Sequence, residues 1–226
     1  MDTRTLEISD FAAVSTWVAH SDAGMAIDDA GLLWLHKATS HCCGETWTVR
    51  MSDRVVHWAG QSGPTDYAYN TSLVFDPVQR KLVVFDLMAP YGVYEMYGPR
   101  LADSPQWILG AAWDPTLGGI LMVDLWGDFY QMVNYGPPVF VGSVPPDVQA
   151  VNPSMILTIR GLAYDLDTHL VWLMTDSQGI FALDPTTLQV MASLYDPAVD
   201  PYGGTTQPFD PIPAQQPELL VTGTCP

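Results

Sequence analysis

The stretch Trp113–Met132, WDPTLGGILMVDLWGDFYQM, contains two apolar runs, and each run follows a turn-forming segment. Asp114 opens a segment of Pro, Thr and Gly, the run Ile120–Val123 comes next, and Gly127 then separates Asp124 from the second run. Short runs rich in Val, Ile and aromatic residues, bounded by Gly, Pro and Asp, are typical of β-strands. The stretch therefore predicts successive antiparallel strands and not a helix.

The residues around these apolar runs are suited to forming turns. The carboxylate of Asp114 can accept backbone N–H groups in the tight turn that follows it, and Pro115 restricts φ there. Gly127 lets the chain reverse a second time. Because the run Ile120–Val123 does not alternate with polar residues, we expect it to be buried on both faces, between two neighbouring sheets.

The same order of residues recurs along the chain. A hydrophobic residue, an Asp, a turn and an apolar run follow one another in five segments: Ala26–His36 (AIDDAGLLWLH), Val74–Asp86 (VFDPVQRKLVVFD), Ala112–Asp124 (AWDPTLGGILMVD), Ala163–Asp176 (AYDLDTHLVWLMTD) and Pro208–Gly223 (PFDPIPAQQPELLVTG). The marker aspartates are Asp28, Asp76, Asp114, Asp165 and Asp210, spaced 48, 38, 51 and 45 positions apart. A four-stranded propeller blade takes about 40–50 residues. The repeat therefore predicts an all-β protein with one blade in each module.

One module resembles a known type of blade. The segment Gly161–Leu194, GLAYDLDTHLVWLMTDSQGIFALDPTTLQVMASL, is similar to quinoprotein-type and lactonase-type blades of the β-propeller superfamily. The resemblance covers most of the chain and implies a β-propeller. The sequence has neither the paired motifs of WD40 repeats nor a sialidase Asp-box, so the resemblance transfers no catalytic residues.

The number of blades depends on the two ends of the chain. We expect residues 1–226 to form a single propeller domain. The last repeat ends after the strand Glu218–Gly223, and Thr5–Ile8 and Ser15–His20 precede the first complete blade. These segments favour a five-bladed ring whose last blade combines strands from both ends, which removes free sheet edges. The alternative is four blades plus a C-terminal arm, because the six prolines of Pro197–Pro217 suit an extended segment.

The charge balance excludes several functions. The chain carries 25 acidic residues against eight Lys and Arg, for a net charge of −17. Such a surface repels nucleic acids and anionic membranes, and it favours cations and basic protein partners. The start MDTRTLEISDFAAV lacks the features of a secretory signal, and no apolar run is long enough to span a membrane. We therefore expect a protein of the cytoplasm or of a virion, without a transmembrane segment.

Candidate ligand residues follow the second strand of each blade. Propeller ligands commonly bind at one mouth of the channel, and the residues expected there are His36, Asp86, Asp124, Asp176 and Thr222. The three carboxylates could converge on Ca²⁺, a pair of them could hydrolyse a glycosidic bond, or each could cap its own turn. Trp126 and Tyr91 lie beside them in sequence and could stack on a sugar or contact a protein. The predicted ligand site is therefore Asp86, Asp124, Asp176, Trp126 and Tyr91.

The cysteines allow three interpretations. His36, His41, Cys42 and Cys43 form a cluster of zinc-type ligands, but two adjacent cysteines without the C-x₂-C spacing fit a tetrahedral ion poorly. A disulfide of Cys225 with Cys42 or Cys43 would join the two sides of the five-bladed ring. Unpaired thiols are the third interpretation.

The sequence contains no recognisable catalytic set. It has no G-x-S-x-G nucleophile motif and no Gly-rich phosphate loop. We therefore favour a non-catalytic binding or structural module without a cofactor other than possible Ca²⁺. The specific case that we favour is a virion component, such as a phage capsid decoration, tail or spike protein, that contacts other proteins or a host surface. The alternative is a propeller that binds or hydrolyses glycans with the carboxylates at the channel mouth.

Overall fold

The computed structural model describes residues 23–39, 43–62, 70–86, 91–145, 148, 159–175 and 179–195. These residues form four antiparallel sheets of four strands each. Blade 1 contains β1 (Ala23–Ile27), β2 (Leu32–Thr39), β3 (Cys43–Arg50) and β4 (Val56–Ser62), and blade 2 contains β5 (Asn70–Asp76), β6 (Lys81–Asp86), β7 (Gly92–Glu95) and β8 (Arg100–Asp103). Blade 3 contains β9 (Ile108–Asp114), β10 (Gly119–Asp124), β11 (Asp128–Val133) and β12 (Val139–Ser143), and blade 4 contains β13 (Ile159–Asp165), β14 (Leu170–Thr175), β15 (Gly179–Leu183) and β16 (Val190–Tyr195).

The arrangement of these sheets is that of a β-propeller, and the predicted all-β fold is confirmed. Each sheet keeps the order of its strands in the sequence. Neighbouring sheets meet through their first strands, since β1 contacts β5, β5 contacts β9 and β9 contacts β13. The segments proposed for a fifth blade, and the proline-dense run 197–217, lie outside the described residues. In the part of the chain described above, no helix is long and apolar enough to cross a bilayer.

The marker aspartates act as predicted in the described repeats. Oδ1 of Asp76 accepts the N–H groups of Val78 and Gln79 at 2.8 and 3.0 Å. Oδ1 of Asp114 accepts those of Thr116 and Leu117 in the same way. Asp28 and Asp165 also accept backbone N–H groups from their own turns, whereas Asp210 lies outside the described residues.

The turns after these aspartates share a backbone conformation that most side chains resist. The fourth residue after the marker has a positive φ in three blades: 55° at Arg80, 63° at Gly118 and 57° at His169. The turn of blade 1 is one residue shorter and places Gly31 at a φ of 72°. Only glycine adopts this region without a steric cost, so the turns of blades 2 and 4 are strained relative to that of blade 3.

The core consists of layers between consecutive blades. In β10, Ile120 and Met122 pack with residues of blade 2, whereas Leu121 and Val123 pack with residues of blade 4. All four side chains are at most 1% exposed. The prediction that this run is buried on both faces is therefore confirmed.

Glycines on first strands allow the blades to approach one another. A Cβ atom on Gly24 of β1 would lie 2.7 Å from the backbone nitrogen of Leu73 on β5. A Cβ atom on Gly110 of β9 would lie 3.0 Å from Cβ of Leu162 on β13. These separations leave little or no room for a side chain, so the spacing of the blades near the axis depends on glycine.

Candidate ligand site between blades 2 and 3

An open cleft of about 420 Å³ lies between blades 2 and 3. Ser104, Pro105 and Gln106 of the β8–β9 connection border one side. The β10–β11 turn and the start of β11 border the other with Asp124, Trp126, Asp128 and Tyr130, and Pro138 completes the lining. These are the two classes of connection that form the mouth in propellers.

The β10–β11 turn holds Trp126 at the cleft. Oδ1 of Asp124 accepts the backbone N–H groups of Trp126 and Asp128, both at 2.9 Å. Gly127 occupies the left-handed region at a φ of 83°, which lets the turn close. Asp124 therefore caps its own turn. The same hydrogen bonds hold Trp126 in place, and Trp126 is 56% exposed to solvent.

Negative charge is concentrated in a partly desolvated part of the cleft. Burial raises the pKa of Asp124 and outweighs the two backbone hydrogen bonds, which lower it, while the Asp128 carboxylate raises it further. Burial and the charges of both aspartates also raise the pKa of Tyr130, whose hydroxyl donates to Oδ2 of Asp124 at 3.3 Å. A cationic group that entered the cleft would relieve this repulsion.

An apolar strip continues from the cleft onto the outer strand of blade 3. The rings of Tyr130 and Phe140 meet edge to face with centroids 5.8 Å apart. Phe140 is 57% exposed. Its neighbour Val139 is 63% exposed but lies on the other face of the sheet, because side chains alternate along β12. We call Trp126 and Phe140 the apolar strip. Aromatic and aliphatic side chains at this exposure are available for contact with a second molecule.

The structure brings two of the predicted ligand residues together, Asp124 and Trp126. The carbonyl of Tyr91 accepts hydrogen bonds from the N–H of Ser104 and from the guanidinium of Arg100, so Tyr91 supports the β8–β9 connection through its backbone. Asp86 is completely buried at the end of β6 and does not line the cleft. Asp176 lies outside the described residues.

Metal binding by the three predicted carboxylates stays a prediction. The described ranges contain no group of three or more His, Cys, Asp and Glu side chains that could hold a metal ion. The predicted Ca²⁺ set of Asp86, Asp124 and Asp176 includes a residue that is not described.

The prediction that His36 ends the second strand of blade 1 was wrong. β2 continues to Thr39, so His36 lies inside the strand and does not end it. It is 1% exposed, and its Nδ1 lies 3.3 Å from Oγ1 of Thr46. Burial lowers its pKa to about 4, so the imidazole is neutral at pH 7. Cys43 begins β3, while His41, Cys42 and Cys225 lie outside the described residues, and a disulfide among the cysteines stays a prediction.

The sequence analysis missed Asp128 and Tyr130. The two-residue period of a strand places both on one face of β11, directly after Trp126 and its turn, so the signal was present in the stretch DLWGDFY. It also missed Ser104, Pro105 and Gln106, which line the other side of the cleft. These residues reach the cleft because of how blades 2 and 3 pack together, and no local sequence pattern shows that packing.

Comparison with known proteins finds solved structures of similar fold but assigns the chain to no family. No family model matches the chain, and no curated protein matches it. The β-propeller domain of Cps50 (Swd1) from Myceliophteria thermophila is similar in structure, with a TM-score of 0.49, 13% identity, and coverage of 79% of this chain and 56% of that one. A chain of the Mitotic Checkpoint Complex gives a TM-score of 0.48, 10% identity, and coverage of 78% and 50%. This chain matches about half the length of each, and the likeness is too low to indicate function.

Proposed function

We propose that this chain is a non-catalytic binding module that holds a protein partner at the cleft between blades 2 and 3. The supporting observation is the position of Trp126, which is 56% exposed on the rim of a cleft that also contains the carboxylates of Asp124 and Asp128. Exposed tryptophans in such positions commonly supply much of the free energy of protein–protein association.

The chemistry of the cleft favours a basic side chain from the partner. An Arg or Lys side chain can stack on the face of Trp126 and meet the carboxylate of Asp128, while the buried negative charge of Asp124 adds to the attraction. The net charge of −17 attracts such a partner from a distance. The apolar strip extends the contact area beyond the charged cleft, so the partner would present a basic residue beside apolar ones.

A peptide array tests this function. The probes are short peptides that differ in Lys and Arg content, and their affinity is measured by fluorescence anisotropy at low and high salt. We expect basic peptides to bind best, and Trp126→Ala to weaken binding by at least about tenfold. Trp58→Ala is the control, because Trp58 is 65% exposed on blade 1 and does not line the cleft. Equal binding of basic and acidic peptides would contradict the proposal.

Glycan binding is the second candidate function. The same tryptophan could stack on a sugar ring, and the carboxylate of Asp128 could accept a hydrogen bond from a sugar hydroxyl group. Salt dependence separates the two functions, because binding of a basic peptide weakens as ionic strength rises and binding of a neutral glycan does not. A neutral glycan that binds on an array and loses affinity in both Trp126→Ala and Asp124→Asn would favour the glycan function over the protein-binding one.

As the larger assembly we propose a virus particle, in which this module is a capsid decoration, tail or spike component. Two observations support this proposal: only 15% of the residues are charged, and the proline-rich segment Tyr135–Phe140 carries exposed apolar side chains. Such a surface is commonly covered by a partner. Mass spectrometry of the native complex tests the assignment, and a complex without particle proteins would contradict it.

A further inference from the structure

The cleft between blades 2 and 3 presents aromatic rings and carboxylates to the same space. Trp126 and Tyr130 line it together with Asp124 and Asp128. The alternation of side chains along β11 places Asp128 and Tyr130 on one face, and Trp126 lies on the turn that leads into that strand. The face of an aromatic ring attracts a cation, and so does a carboxylate. The cleft is therefore suited to a cationic group that also has apolar surface.

Hydrogen-bond donors of the chain itself already engage most carboxylate oxygens of the cleft. Both oxygens of Asp124 are used, Oδ1 by two backbone N–H groups and Oδ2 by the hydroxyl of Tyr130. Oδ1 of Asp128 accepts the hydroxyl hydrogen of Ser143 at 2.5 Å. Among the described residues that line the cleft, Oδ2 of Asp128 is therefore the one carboxylate oxygen that is open to a ligand.

The rest of the lining adds few acceptors. Ser104 donates its hydroxyl hydrogen to the carbonyl oxygen of Pro105 at 2.9 Å, so that carbonyl already has a donor. The side chains of Pro105 and Pro138 contain no polar atoms and offer only apolar surface. Gln106 is exposed, so water competes for its amide oxygen. The cleft thus carries negative charge but can accept few new hydrogen bonds.

A methylated lysine fits this combination better than an unmodified basic side chain. The ammonium of lysine has three N–H donors, and the guanidinium of arginine has five. Donors that enter a partly desolvated cleft without acceptors cost free energy. Methylation keeps the positive charge of lysine and replaces its donors by methyl groups, which can contact aromatic rings directly. Dimethyllysine retains one N–H, which matches the single open oxygen of Asp128, and trimethyllysine has none.

We propose that the basic group held in this cleft is a lysine side chain of the protein partner in its di- or trimethylated form. This inference rests on the function proposed above and specifies the side chain that the partner presents. The methylated head contacts the rings of Trp126 and Tyr130, and the charges of Asp124 and Asp128 balance its own. The cleft volume of about 420 Å³ lies within the range of ligand-binding pockets, about 300–1,000 Å³.

Four libraries of short peptides test this proposal with the full-length chain. They share the same randomised flanking positions and differ in one fixed central residue: lysine, dimethyllysine, trimethyllysine or the neutral carbon analogue of trimethyllysine. Fluorescence anisotropy measures the apparent affinity of each library. We expect the two methylated libraries to bind at least about tenfold more tightly than the lysine library. The neutral analogue has the shape of trimethyllysine without its charge, and it should bind at least about tenfold more weakly than trimethyllysine.

Trp126→Leu tests whether the aromatic ring causes this preference. Leucine keeps apolar area at the position but has no aromatic face, so the preference for the methylated libraries should fall below about threefold. Because Trp126 is 56% exposed, the variant should fold, and an unchanged melting temperature would verify this. Trp58→Leu is the matched control and should keep the full preference, since Trp58 is 65% exposed and does not line the cleft.

The contrary outcomes can be told apart. If the lysine library binds as tightly as the methylated libraries, this proposal fails while the function proposed for the cleft stands. If no library binds, the protein-binding function fails as well. Tight binding of the neutral analogue, or a full preference in Trp126→Leu, would overturn recognition of the cation by the ring. Displacement of the trimethyllysine library by free choline at lower concentrations than by unlabelled library would overturn the lysine assignment in favour of a small quaternary ammonium ligand.

Discussion

Tyr135 donates its hydroxyl hydrogen to Oδ2 of Asp76, 59 positions earlier in the chain, across an O···O distance of 2.6 Å. The other oxygen of Asp76 caps the first turn of blade 2, so one carboxylate stabilises both that turn and the interface between blades 2 and 3. Tyr135 has a φ of 55°, an unfavourable value for a tyrosine, which the surrounding fold imposes. Burial, together with the charge of Asp76, raises the pKa of Tyr135 far above its ordinary value.

We expect Tyr135→Phe to lower the free energy of unfolding by about 1–2 kcal/mol, since it removes the donor to a buried carboxylate oxygen. Urea denaturation measures the change. Tyr97→Phe is the control, because Tyr97 is 56% exposed, and it should change stability little. An equal effect of the two substitutions would show that the Tyr135–Asp76 bond contributes nothing specific.

His36 should make the protein less stable as the pH falls from 6.5 toward 4. Burial lowers the pKa of His36 from 6.5 to about 4 in the folded protein. Between these values the unfolded chain binds a proton that the folded chain does not, so the contribution is fully present above pH 6.5 and is lost as the pH falls. The loss should be about 2 kcal/mol at pH 5.

Urea denaturation at pH 7 and pH 5 measures this loss. His36→Gln should reduce the difference in stability between the two pH values, even if it also lowers stability at pH 7. His57→Gln, at an exposed position on β4, is the control and should leave the difference as in the original protein. If His36→Gln also leaves it unchanged, His36 does not cause the loss.

Glycine should be more stabilising than other residues at the fourth position after the marker aspartates of blades 3 and 4, because the backbone there has a positive φ. His169→Gly should stabilise the protein by about 0.5–1 kcal/mol, because it relieves the left-handed backbone of the blade 4 turn. Gly118→Ala places a side chain in the same conformation in blade 3 and should destabilise by a similar amount. Thermal unfolding of both variants measures the changes, and shifts in the same direction would contradict the explanation.

Gly24→Ala should destabilise the protein by about 1–3 kcal/mol, because the new Cβ would press on the backbone of Leu73 in the next blade. Gly161→Ala is the control on another first strand, where, among the described residues, a Cβ would meet only Cε of Met174 at 4.0 Å. Chemical denaturation compares the two. If Gly161→Ala lowers the free energy of unfolding as much as Gly24→Ala does, the close approach of blades 1 and 2 is not the cause of the loss.

The fold was predictable because its determinants are local and repeated. Asp114, its turn and the run Ile120–Val123 determine a hairpin without reference to the rest of the chain, and four described repeats form the same structure. The non-alternating run also predicted burial on both faces, since a strand between two blades has no solvent-facing side.

The cleft was predictable only on one side. Asp124 and Trp126 could be identified because the β10–β11 turn is a local feature of the sequence. The Ser104–Gln106 side, the burial of Asp86 and the position of His36 within β2 could not, because each depends on how far a strand extends or which blade lies beside it.

The sequence by itself determined the four-stranded module, its turns and the acidic character of the protein, since these depend on neighbouring residues and on composition. Only the tertiary structure decided which side chains from different blades share a surface. Tyr135 meets Asp76, and Trp126 borders the same cleft as Ser104, because the blades pack around a common axis at distances that residues such as Gly24 allow. Contacts of this kind depend on the spacing between sheets, which no short stretch of the chain specifies.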